Sequence, residues 1–208
     1  MIETNHFIFY FNNEEDYIEK LVSCLEQKLK LILSFFEISK INKKIKITLI
    51  SKKEEFDNIF YDIHKFKPDL NSMGFYHDGE ITYLSFNELN KTNHKNDSFK
   101  SYINILTHEC VHFIHGYVTN DKMSLRCFNE GIALYLGKQY DTIDYSKFNC
   151  TIEDLISQKN VDYYNYYIIV DYLMKNKEKK YILEILKNKS FAINELKYIY
   201  DDLRKSFL

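Results

Sequence analysis

From Ile45 to Ile50 the chain alternates, with Ile45, Ile47 and Leu49 on one side and Lys46 and Thr48 on the other. A period of two sends successive side chains to opposite faces, so this segment predicts a strand with one buried face. His6 to Phe11, mostly aromatic around the β-branched Ile8, reads as a second strand. Between them Ile18, Leu21, Leu25, Leu29 and Leu31 or Ile32 recur at helical spacing. They predict a long helix from about Glu14 to Ile38, capped by Asn13. Ser51 is placed to cap a short helix through Phe56 and Ile59, and Glu54 would complete a capping box. Phe75-Tyr76 and Ile81 to Leu84 flank His77-Asp78-Gly79, and Asp-Gly between two β-prone runs predicts a hairpin.

A polar loop from Lys91 to Asp97 follows. From Ser98 onward the apolar spacing is helical almost to the end, with breaks expected near 116–121, 137–149, Gln158 and Lys189. The charged run Lys175 to Lys180 reads as a solvated helix junction. The order is β-α-β-α-β-β and then helices. It predicts an α+β fold, a small mixed sheet packed on helices, in one domain with a sheet-containing half (1–97) and a helical half (98–208). One proline and five glycines leave no candidate for a flexible interdomain linker.

Composition narrows the functional classes. A net charge of −2, from 28 basic and 30 acidic residues, gives no general attraction to nucleic acid or anionic membrane, and neither is expected as a partner. No apolar run approaches the length needed to span a bilayer. The start Met1-Ile2-Glu3-Thr4-Asn5-His6 lacks the basic region and cleavage site of a secretory signal, so a cytoplasmic location is expected. Cys24, Cys110, Cys127 and Cys150 form no C-x-x-C pair and should be free thiols in a reducing compartment.

The chemistry concentrates in His108-Glu109-Cys110-Val111-His112, an H-E-x-x-H sequence. On a helix, His108 and His112 share a face and can point at one metal ion, while Glu109 beside them can take a proton from water. The helix should run from about Lys100 to His115, with Ile103, Leu106, Cys110 and Phe113 as its apolar face. Cys110 therefore belongs to the core. A catalytic zinc needs three protein ligands and an open position. A third His in the H-x-x-G-x-x-H manner fails, because Gly116 is one position late and Val118 stands where the His should be. A Glu from a following helix succeeds: Phe128-Asn129-Glu130-Gly131-Ile132-Ala133 supplies Glu130 after 17 intervening residues. The small Gly131 and Ala133 would let that helix approach the first closely. His115 is seven residues after His108, too far along one helix to join the same ion, and suits the rim or the helix C-terminus. His6, His64, His77 and His94 lie outside any ligand spacing; most are expected at the surface, with His77, beside the hairpin turn, placed to reach the cleft rim.

His108-Glu109-Cys110-Val111-His112 followed by Phe128-Asn129-Glu130-Gly131-Ile132-Ala133-Leu134-Tyr135 resembles the gluzincin metallopeptidases, in particular the peptidase MA-like group. Those chains typically read H-E-L-T-H and then W-L-x-E-G-x-A-x-Y. The opening strand, helix and strand, the hairpin around Gly79, and a Tyr-rich helix at Tyr163 to Leu173 extend the similarity over roughly residues 6 to 190. Cys127 stands at the usual Trp position, and Leu134 replaces a common polar residue.

The resemblance implies a zincin-like fold and one Zn2+ per chain on His108, His112 and Glu130, with Glu109 as general base. It also implies hydrolysis of a peptide or protein substrate, and a Tyr on a later helix, Tyr163 or Tyr167, as donor to the oxyanion. Substrate would lie extended along a sheet edge, expected at the strand from Glu80 to Phe86. Two other classes are weighed against this. A zinc-binding regulatory or interaction module without turnover has no need of Glu109, and a thiol enzyme using Cys110 or Cys127 conflicts with the core placement of Cys110.

Overall fold

The structure, a computed structural model, describes residues 1–13, 16–122, 124–157 and 161–205. The expected helix start at Glu14 and the expected break at Gln158 lie outside the described residues. By its contacts the chain divides into two compact units, Met1–Phe113 and Ile114–Leu208.

The first unit is built on a five-stranded mixed sheet. In chain order it contains β1 (Ile2–Glu3), β2 (Phe7–Phe11), α1 (Ile18–Phe35), β3 (Ile45–Ile50), α2 (Lys53–His64), β4 (Gly74–His77) and β5 (Glu80–Leu84). A 3-10 turn, Phe86–Lys91, leads to α3 (Phe99–Thr119). The strand order is β1-β2-β3-β5-β4. β2, β3 and β5 run parallel, and β1 and β4 pair antiparallel at the two edges. The α+β class expected from the element order is therefore the observed one.

The alternation read in the sequence decides the faces. The register sets Phe9, Ile47 and Ile81 side by side, with Leu49 beside Tyr83, and all are buried. Tyr83 donates its hydroxyl to the Tyr102 carbonyl at 2.8 Å, and Tyr76 meets Phe113 edge-on, so α3 covers this face. The opposite face carries Ile50 and Leu84, where Phe56 and Phe60 of α2 pack together with Phe75. At the β4–β5 turn Asp78 and Gly79 both have positive φ, the geometry of a type I′ hairpin, which explains the Asp-Gly pair.

Several local expectations are corrected. Asn13 does not cap α1, which starts at Ile18 after Tyr17 and makes no side-chain cap bond. It ends at Phe35, and Ile32 rather than Leu31 is buried. Ser51 and Glu54 form no capping box. Lys52 holds the N-cap position of α2, and Glu88, from the 3-10 turn, accepts the Lys53 amide at 2.9 Å. A carboxylate distant in sequence does the work of a local cap. The strand from Glu80 is not an edge: β5 lies between β3 and β4, and β4 is the edge on that side. His64 is no simple surface residue, since its ring centroid lies 4.3 Å from that of Phe60, tilted, and 5.2 Å from that of Phe75, edge-on.

The second unit is helical. After the end of α3 come α4 (Arg126–Gly137), a 3-10 turn (Tyr145–Lys147), α5 (Ile152–Ser157), α6 (Tyr163–Asn176), α7 (Lys179–Lys187) and α8 (Lys189–Lys205). The junction between α6 and α7 falls in the expected charged run, where Lys177 reaches Asp202 at 3.3 Å. The break expected near 116–121 falls toward the end of that range, beyond the helix end expected at His115. α3 continues to Thr119, and Asn120 and Asp121 end it in the left-handed conformation, with the Asp121 amide returning to the Gly116 carbonyl at 2.9 Å. Asn and Asp tolerate that conformation, whereas a lone glycine inside a strongly patterned helix costs only about 1 kcal/mol. Among the described residues no helix is long and apolar enough to cross a membrane.

Candidate functional site

α3 begins at a serine cap, where Ser98 Oγ accepts the Ser101 amide at 3.1 Å. Ile103, Leu106, Cys110 and Phe113 are buried as the pattern required. That choice of face sets the direction of the remaining residues. His108 and His112, one turn apart, bring their rings to a centroid distance of 4.6 Å at 80°, with the two Nε2 atoms 2.9 Å apart. His108 and Glu109 are both more than nine-tenths buried. The Tyr83 phenol is pushed well up by burial first and by the Glu109 carboxylate second. The Cys110 thiol is likewise pushed up by burial and then by Glu109, so it stays protonated and core-like.

Glu130 sits in the second turn of α4 and is partly buried. One ligand atom from each of His108, His112 and Glu130 lies within 4.8 Å of the others. Two imidazole nitrogens on one tetrahedral zinc, each at about 2.05 Å, would stand about 3.3 Å apart. The observed 2.9 Å is slightly tighter, so a small ring rotation would admit an ion. Two imidazoles and a carboxylate also suit other borderline divalent metals, and the donor set does not choose among them.

No family model matches the chain, and no curated protein matches it.

The surroundings of Glu130 come from α4 and α6. Arg126, one turn before it, has Nε 3.9 Å from Glu130 Oε1, an ion pair beyond hydrogen-bond length. Arg126 donates from Nη2 to the Tyr163 hydroxyl at 3.1 Å and lies over that ring at 5.7 Å. Tyr166 is buried, and its phenol is pushed up to about 12, by burial first, with Arg126, Cys127 and Glu130 close enough to act on it. Tyr167 belongs to a different group. Its hydroxyl donates to the Tyr140 carbonyl at 3.3 Å, and its ring neighbours are Tyr135, Tyr140 and Tyr164. The Tyr-rich helix thus presents Tyr163 and Tyr166 toward Arg126 and Tyr164 and Tyr167 toward Tyr140. Arg126 and Tyr166 were not among the expected site residues. The i, i+3 relation of Tyr166 to Tyr163 was the available signal for one, whereas a single arginine at a helix start offers no pattern.

Two further expectations change. His115 is fully buried, not at a rim, and its Nε2 lies 2.8 Å from the Leu186 carbonyl. A carbonyl only accepts, so Nε2 carries the proton. Gly131 does allow a close approach, but the partner is α6: a Cβ there would stand 2.5 Å from the Tyr166 carbonyl oxygen and from Val170 Cγ2. A cleft of about 700 Å³ in the second unit is lined by residues including Tyr140, Asp144, Lys147 and Tyr164, and neither Glu130 nor Arg126 lines it.

Proposed function

We propose that the protein is a zinc-dependent metallopeptidase with a zincin-like fold, of the gluzincin kind, acting on peptide or protein substrates in the cytoplasm. The observation that carries the reading is the meeting of His108, His112 and Glu130 ligand atoms within 4.8 Å, with Glu109 next to His108 in the chain. The order strand, helix, strand, helix, hairpin, motif helix supports the fold, and the four free cysteines are in keeping with a reducing compartment.

In this reading His108 and His112 offer Nε2 and Glu130 offers a carboxylate oxygen. A bound zinc would supply Lewis acidity to water and to the scissile carbonyl. Glu109 accepts the proton of the attacking water on its carboxylate and returns it to the departing amine. A carboxylate can serve in this way because burial removes competing solvent and the α3 backbone holds it in place. Donors to the developing oxyanion are sought on α6. Tyr163 is half-exposed and already tied to Arg126, whereas the Tyr167 hydroxyl is turned to a backbone carbonyl. Tyr163 is therefore the better supported of the two.

The test combines metal analysis with digestion of a peptide library. The parent should carry about one zinc per chain and cleave. Glu130→Ala should lose the metal, and Glu109→Gln should keep it and lose cleavage by several orders of magnitude. Full zinc stoichiometry in Glu130→Ala would remove the third-ligand assignment. Equal cleavage by parent and Glu109→Gln would remove the general base. Zinc without cleavage in the parent would favour the non-catalytic binding module.

A further inference from the structure

The cleft of about 700 Å³ lies wholly within the second unit, between α6 and the segment that follows α4. Small-molecule sites of about 300–1,000 Å³ are mostly apolar, yet no aliphatic side chain lines this one. Two phenol rings, three side-chain amides, two hydroxyls, three aspartates and Lys147 form its walls. Those walls are tied together. Tyr167 donates its hydroxyl to the Tyr140 carbonyl at 3.3 Å, the Asp144 amide donates to the Tyr164 hydroxyl at 2.7 Å, and Tyr145 donates to Asp171. The Asn149 amide donates to Asn165 Oδ1, and Asn165 Nδ2 donates to Asn149 Oδ1, both at 3.0 Å. Asn165 is 2% exposed, so the wall holds a buried amide, and one of its two N–H donors is uncommitted among the described residues. The side chains of Gln139 and Thr142 and the Tyr140 hydroxyl likewise make no hydrogen bond among the described residues.

The lining selects the chemistry of a ligand. Three aspartates against one lysine repel phosphate and carboxylate. A cation is poorly matched too. The Lys147 ammonium lies over the Tyr164 ring at 5.7 Å, the position a ligand cation would take. Asp144 accepts the Ser146 amide and hydroxyl at 3.1 and 2.6 Å, and Asp162 accepts the Tyr164 amide at 2.8 Å, so both carboxylates are engaged as caps. What is left are amides and hydroxyls, which both donate and accept, as the hydroxyls of a polyol do. The Tyr140 and Tyr164 rings meet edge-on, 4.9 Å apart at 76°, and their planes form a corner against which an apolar C–H face can rest. We propose that this cleft binds a neutral sugar, its hydroxyls held by Gln139, Tyr140, Thr142 and Asn165 and its C–H face by the two tyrosine rings. The site needs no metal and takes no part in the proposed peptidase chemistry.

The experiment is saturation-transfer NMR on the full chain with maltose, cellobiose, lactose, mannobiose and N,N′-diacetylchitobiose, and with spermidine as a cation without hydroxyls. At least one disaccharide should bind, with a Kd on the order of 1 mM. Gln139→Ala combined with Thr142→Ala should weaken that binding about tenfold, since each neutral hydrogen bond accounts for about two- to tenfold. Neither side chain is bonded within the fold, so the unfolding midpoint should not move. Tyr140→Phe, which keeps the ring and loses the hydroxyl, should weaken binding about threefold. No binding by any of the disaccharides overturns the inference. So does binding that both variants leave unchanged, because the sugar would then sit elsewhere. Spermidine bound more tightly than every disaccharide also overturns it, because the aspartates would then set the specificity.

Discussion

Replacing Gly131 with alanine should destabilise the protein, although alanine is the better helix former. Gly131 lies inside α4, where the substitution alone would favour the helix by about 1 kcal/mol. The close packing on α6 opposes this. The new Cβ would stand 2.5 Å from the Tyr166 carbonyl oxygen and 2.5 Å from Val170 Cγ2, about 0.9 Å short of the 3.4 Å at which ordinary contact begins. Val170 is buried and the carbonyl belongs to the helix backbone, so no flexible side chain can absorb the overlap. The two helices must separate along a stretch that includes Ile132 and Ile169, both essentially inaccessible. Overpacking of a tight core costs about 1–3 kcal/mol, and a clash with backbone falls at the upper end. The net expectation is a loss of about 1–2 kcal/mol. Urea unfolding of the metal-free protein should show it as a midpoint lowered by roughly 0.5–1 M at unchanged slope, taking a slope of about 2 kcal/mol/M. If Glu130 holds the proposed zinc, affinity for that ion should fall as well, because Glu130 is the preceding residue. A midpoint equal to or above the parent's would refute the packing argument.

Other perturbations address the first unit. Glu88→Ala removes the acceptor of the Lys53 amide and should cost about 1 kcal/mol, a fall in Tm of about 2–4 °C. Lys52→Ser, which puts a capping hydroxyl at the start of α2, should restore part of the loss, and no rescue would count against the cap assignment. His64 has a pKa below the ordinary value, through burial first and the charge of His77 second, and its Nε2 is buried without a hydrogen-bond partner among the described residues. The unfolded chain therefore takes up this proton at about pH 6.5, before the folded protein does. The stability contribution is complete above that pH and declines as pH falls below it. His64→Phe should flatten the stability profile between pH 7 and 5.5. Parallel profiles for the two proteins would show that His64 is not the group responsible.

Much of the fold was legible because the period of hydrophobic positions survives folding directly. Ile45, Ile47 and Leu49 alternate in sequence and are buried together, and Asp78-Gly79 carries the backbone signs its turn needs. What was not legible depends on partners distant in the chain. The true cap of α2 comes from Glu88, and β1 is two residues whose pairing to β2 has no period to detect. β5 became an inner strand through its parallel pairing with β3, which hairpin signals do not encode. The candidate site divides in the same way. The two histidines were readable because one helix carries both, and Glu130 because spacing allowed a second helix. Arg126 and Tyr166 acquire meaning only where α4 meets α6.

The protonated thiols give the protein internal clocks. Cys110 on α3 and Cys127 on α4 belong to different compact units, and burial holds both thiols up, the latter at about 12. An electrophile reacts with thiolate, so neither residue is modified while its helix stays packed. The rate at which each acquires a label therefore measures how often its own surroundings open. Labelling followed by peptide mapping would resolve the local opening of the motif helix from that of the helix bearing Glu130.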